Sequence, residues 1–136
     1  MKLPANKAEA KLLRRALLGN AAFSAICGVL IVSFDTQLVG LMTNLQHHLW
    51  PLGLTLLAFA GSLLWFSMRP AISSVWVASV IVADLAWVVG TVALLLGAHG
   101  LLTAAGLWIL AVVGVFVFGF AELQWLGLRR LRRAAT

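Results

Sequence analysis

Residues 71–97 read AISSVWVASVIVADLAWVVGTVALLLG, twenty-seven residues with one charged side chain, Asp84. A helix rises about 1.5 Å per residue, and about 20 residues cross a hydrocarbon core. The stretch therefore predicts a membrane span with an aspartate near its middle. That aspartate is the feature the rest of the sequence has to account for.

The composition supports the membrane reading. The 136-residue chain is 62% hydrophobic and 10% charged, and a soluble domain of that length has too little interior to hide so much apolar surface. Three more runs are long enough to cross, 12–34, 49–68 and 103–128. The expected fold is thus all-α, a polytopic membrane protein whose four transmembrane helices form one up-down bundle spanning the whole chain, 1–136. The first run is too long for a signal peptide, and in FSAICG the residue Ile26 stands where a lipoprotein cleavage site needs a small side chain, so this segment is expected to stay as a span. Cys27 is the single cysteine, which excludes an internal disulfide and a cysteine-type zinc site.

Local chemistry marks the span boundaries. Asn6, followed three residues later by Glu9, predicts a capped helix start leading through Lys7, Lys11, Arg14 and Arg15 into span one. Pro70 suits the first position of span three, and Thr103 suits the cap of span four. In the long connection DTQLVGLMTNLQHH, the segment LVGLM predicts a short interfacial helix.

All ten basic residues lie at the N-terminus, at Arg69, or from Arg129 to Arg133. The positive-inside rule then places both termini on the cytoplasmic side of a bacterial inner membrane. The basic tail reads as a topology signal that also attracts anionic lipid, not as a nucleic-acid site. Trp50 and Trp108 fall near the outer span ends, and Trp65, Trp76 and Trp125 near the inner ends, as an aromatic belt requires. Trp87 alone sits at mid-depth, three residues after Asp84.

On a helical wheel of span three, Ile81, Leu85, Val88, Val92 and Leu95 are expected to face lipid. Ala83, Ala86, Gly90, Ala93 and Gly97 are expected to form a small-residue seam against a neighbouring helix, with Asp84, Trp87 and Thr91 flanking it. Glu122 in AELQW is the second intramembrane acid. Intramembrane carboxyl groups are costly enough that their placement is informative. By depth, Asp84 is expected near Ser24 and Glu122 near Asn20, so that Asp84, Glu122, Asn20, Ser24, Trp87, Thr91 and Trp125 form an intramembrane polar cluster.

His47, His48 and His99 fall at similar depth outside the spans. His48 and His99 are the only candidates for a metal or haem ligand pair, and nothing else in the sequence supports such a site. No metal and no cofactor are expected. P-loop, Gly-x-Ser-x-Gly and Cys-x-x-Cys motifs are absent, so the chain is read as a non-enzyme.

The patterns NAAFSAICGVLI, ADLAWVVGTVALL and LQWLGLRR resemble a group of small four-span bacterial integral membrane proteins without assigned activity. The likeness covers most of the chain and implies a fold but no function. In size and span number the chain is also similar to small multidrug exporters, yet those carry an essential glutamate in the first span, where this chain has no acid before Asp35. The functional expectation is an accessory or interaction protein that acts through intramembrane helix packing, as a subunit of a larger complex or as a homo-oligomer. The alternative is a small transporter or a binder of a lipophilic ligand or cation that uses Asp84 and Glu122. The expected partners are the lipid bilayer and a membrane protein or a second copy.

Overall fold

The computed structural model describes residues 2–3, 7–98 and 100–136, with side chains from residue 10 onward. In chain order the elements are β1 (Lys2–Leu3), α1 (Lys7–Ser33), α2 (Asp35–Met42), α3 (Trp50–Ser67), β2 (Ile72–Ser73), α4 (Ser74–Gly97) and α5 (Ala104–Ala134). Four helices, α1, α3, α4 and α5, are long and apolar enough to cross a membrane. Their surfaces agree, because large apolar side chains such as Val82, Val89, Leu96 and Val115 are more than 60% exposed.

α1 packs on α3 and on α5, and α5 packs on α4, whereas α3 and α4 meet chiefly at one end, where Phe66 stacks on Trp76. Lipid tails are as apolar as leucine, so close backbone approach has to supply much of the packing energy. Glycine permits it at the α1–α3 crossing, where a Cβ on Gly28 would stand 2.9 Å from the Gly53 carbonyl oxygen. A Cβ on Gly127 would meet the Leu13 backbone at 3.0 Å. At that end of the bundle Leu13, Leu17, Leu63, Val77, Leu128 and Leu131 form the buried apolar core.

Polar clasps close both ends. The Arg14 guanidinium donates to the carbonyls of Ser67, Arg69 (2.7 Å) and Pro70 (2.9 Å), satisfying carbonyls that the end of α3 leaves without partners. At the opposite end, Asp35 accepts from the backbone N–H groups of Leu49 (2.5 Å) and Trp50 (2.9 Å) and pairs with His48 Nδ1 at 2.6 Å. It caps α3 from fourteen residues upstream. Thr103 Oγ1 accepts from Gly106 N at 3.0 Å, the cap expected for span four, and donates to Leu41 O at 2.5 Å.

Two boundaries differ from expectation. Pro70 does not open α4, because Ile72–Ser73 is extended, pairs antiparallel with Lys2–Leu3, and leaves Ser73 to cap the helix by accepting from Trp76 N. α5 continues through the basic tail to Ala134, since Leu131 is still buried in the core and Arg132 and Arg133 favour a helix C-terminus. The segment LVGLM is helical within α2 as expected. Asn6 and its cap lie outside the described residues.

Candidate functional site

The inward face of α4 is set by residues recurring every three or four positions: Val77, Val80, Ile81, Asp84 and Thr91 are buried. Opposite them, α1 presents Asn20 and Ser24, which are 1% and 5% exposed, and α5 presents Gln124, which is fully buried. Asn20 Nδ2 donates to Asp84 Oδ2 at 2.7 Å, and Ser24 Oγ donates to Asn20 Oδ1 at 3.3 Å. The Gln124 amide also adjoins the Asp84 carboxyl, but neither its Nε2 nor its Oε1 makes a well-formed hydrogen bond. A carboxyl group, two amides and a hydroxyl thus meet at one level of the bundle.

Asp84 also lines a cavity of about 210 Å³ walled by all four long helices. α1 contributes Asn20, Phe23, Ser24 and Cys27, α3 contributes Thr55 and Phe59 among others, α4 contributes Ala83, Asp84 and Trp87, and α5 contributes Val113 and Val117. Thr55 and Ala83 belong to the wall yet are exposed. The cavity therefore opens sideways between α3 and α4. Nearer the Arg14 end this gap is shut by Phe66 stacked on Trp76 at 4.6 Å. Trp87 is half-buried, and its Nε1 is buried without a hydrogen-bond partner among the described residues.

Several expected cluster members lie elsewhere. Asp84, Asn20, Ser24 and Trp87 are together, and Thr91 is buried one heptad from Asp84 against Gly114, where an added Cβ would lie 3.1 Å from its methyl group. Glu122 is exposed and does not join them. The buried stripe of α5 runs through Val117, Ala121, Gln124, Leu128 and Leu131, and Glu122 lies about 100° round the helix from Ala121. Gln124 occupies the place assigned to the second acid. Trp125 is exposed and stacks under the Arg129 guanidinium at 5.2 Å.

The wheel of span three turns out differently in part, although Leu85 and Val92 are exposed as expected. Ala83, Ala86, Gly90, Ala93 and Gly97 are exposed, and a Cβ on Gly90 or Gly97 would meet nothing within 4 Å. Ile81 is buried and Val88 and Leu95 are half-buried, because they share the face of Asp84. The small-residue seam lies on the far side of α4, so Asp84 and Thr91 do not flank it.

Among the described residues no group of three or more His, Cys, Asp or Glu side chains could hold a metal ion. His48 is committed to Asp35, and His99 lies outside the described residues. A second, larger cavity of about 370 Å³ runs along the end of α5 between Trp125, Arg129, Arg132 and Arg133. Comparison with protein-family models, curated proteins and solved structures finds no match to this chain.

Proposed function

We propose that the protein is a small multi-pass membrane protein that binds a lipophilic molecule in the cavity beside Asp84. The observation that carries this reading is the Asp84 carboxyl, held by Asn20 midway along an apolar helix, at the wall of a cavity that opens between α3 and α4. A charged or hydrogen-bonding group inside a membrane is costly, so a site of this kind serves a ligand or ion more readily than packing alone. The site is one-acid, not the two-acid site of the alternative reading of the sequence, because Glu122 is outside it.

In this reading the four spans run up and down through the cytoplasmic membrane of a bacterium with both termini inside, supported by the basic residues at the two chain ends and Arg69. The protein acts as a binder or carrier and not as a catalyst. Its test is solvent extraction of the purified protein beside a cavity-filled Cys27→Phe variant. A compound enriched in stoichiometric amount in the first and missing from the second supports the reading. Identical lipid profiles contradict it.

A second reading has its own observation. The uncovered face of α4, with Ala86, Gly90, Ala93 and Gly97 spaced four, three and four apart, offers the close backbone approach on which intramembrane helix pairs rely. It supports the protein as a homo-oligomer or as an accessory subunit of a larger membrane complex. A Gly90→Leu variant that loses a partner or a second copy, seen by crosslinking in native membranes, supports it. Unchanged crosslinking overturns it.

A further inference from the structure

We infer that the ligand of this cavity is a small lipophilic monocation, bound against the Asp84 carboxylate in exchange for a proton. The inference rests on the ligand-binding reading and adds the chemical class.

Charge is the first argument. Among the described residues, Asp84 and the Cys27 thiol are the only titratable groups on the wall, and no lysine, arginine or histidine lines it. The polar neighbour packed against Asp84 from α5 is Gln124, which is uncharged, and those from α1 are Asn20 and Ser24. An unpaired carboxylate in hydrocarbon is costly. Neutrality in the empty cavity therefore calls for a proton, and in the filled cavity a cation can take its place.

The wall chemistry is the second argument. Ser24 is spent on Asn20, Asn20 on Asp84, and the Thr55 hydroxyl on the Pro51 carbonyl at 2.9 Å. A neutral polar ligand would find the Trp87 N–H as the main unpaired donor and would leave the carboxyl without a counter-charge. Phe23, Phe59 and Trp87 also line the space, and aromatic side chains favour an organic cation through the negative faces of their rings.

Size and access narrow the class. About 210 Å³ is below the range of drug-sized pockets and suits one ring or a small alkylammonium group. The mouth between Thr55 and Ala83 faces lipid, so the cation has to carry an apolar body. The exchange balances: the neutral Asp84 carboxyl and the free cation become the carboxylate–cation pair, and one proton is released to the aqueous buffer. No bond to carbon is made or broken.

The test is calorimetric titration of the full chain in lipid nanodiscs with benzyltrimethylammonium and with neopentylbenzene, its uncharged isostere. The expected result is that the cation binds, that its affinity rises with pH by up to about tenfold per unit over the range in which one proton is displaced, and that the isostere binds at least tenfold more weakly. Asp84→Asn should remove the pH dependence and weaken the cation about tenfold or more. If that variant does not fold, the comparison of cation and isostere on the unaltered chain still decides. Equal binding of the two, or cation binding that ignores pH, overturns the cation class and leaves the ligand-binding reading standing. Binding of neither overturns the inference and counts against both.

Discussion

Asn20 and Asp84, sixty-four residues apart in the chain, are joined by a 2.7 Å hydrogen bond between α1 and α4. Their backbones stay apart along most of their length, because α4 packs mainly on α5. The bond therefore adds a polar tie between helices that otherwise meet through the apolar core, where Leu13 and Leu17 of α1 lie with Val77 of α4. A double-mutant cycle with Asn20→Ala and Asp84→Ala should show a coupling of about 1 kcal/mol, the scale of intramembrane hydrogen bonds, in reversible unfolding of the detergent-solubilised protein. Additive effects would mean that the pair contributes nothing to stability.

Glycine substitutions should separate the two sides of the bundle. Gly28→Ala places a methyl 2.9 Å from the Gly53 carbonyl oxygen, so α1 and α3 have to move apart at a cost of about 1–3 kcal/mol. Gly90→Ala meets open space and should leave the unfolding midpoint of the monomer unchanged or slightly raised. Equal losses at both positions would contradict the observed packing.

Arg14 should not be replaceable by lysine. Its planar guanidinium serves three carbonyls around the turn after α3, and an ammonium cannot match that fork. Arg14→Lys should lower stability by about 1–2 kcal/mol, and Arg14→Ala by more. Thermal unfolding monitored by circular dichroism would read both.

Acid should loosen the clasp at the other end. The hydrogen bond from His48, together with the two backbone N–H groups, holds the Asp35 carboxyl below the usual carboxylate range. A depressed folded value means that the group stabilises the fold at pH above the unfolded carboxylate's value, about 3.9, and that this contribution is lost as pH falls through the lower folded value. Unfolding temperature should fall in the unaltered protein as pH drops below about 4. Asp35→Asn should flatten that drop.

The four spans were legible because each is a long apolar run, and the inward aspartate was legible because hydrocarbon tolerates it nowhere else. Which face of α4 turns inward was harder. The helix is apolar all round, so hydrophobic periodicity carries no contrast, and the small-residue stripe gave the wrong side. A usable signal was present: Asp84 and Thr91 lie seven residues apart, two turns on one face, and both are buried. Gln124 carries no charge to mark it out beside Glu122 in the sequence, although its three-residue spacing from Ala121 and four-residue spacing to Leu128 place it on the inward face. The Asp35 cap on α3 depends on a contact between distant segments that no local pattern announces.

The most direct test of a ligand-holding Asp84 is native mass spectrometry of the protein extracted gently from its own membrane at natural abundance, beside Asp84→Asn. Asparagine keeps the size of the side chain and an oxygen for Asn20, so the fold should survive while the charge is lost. The account predicts one small molecule retained per chain in the unaltered protein and none in the variant. A bare chain in both, or the same adduct in both, would contradict it.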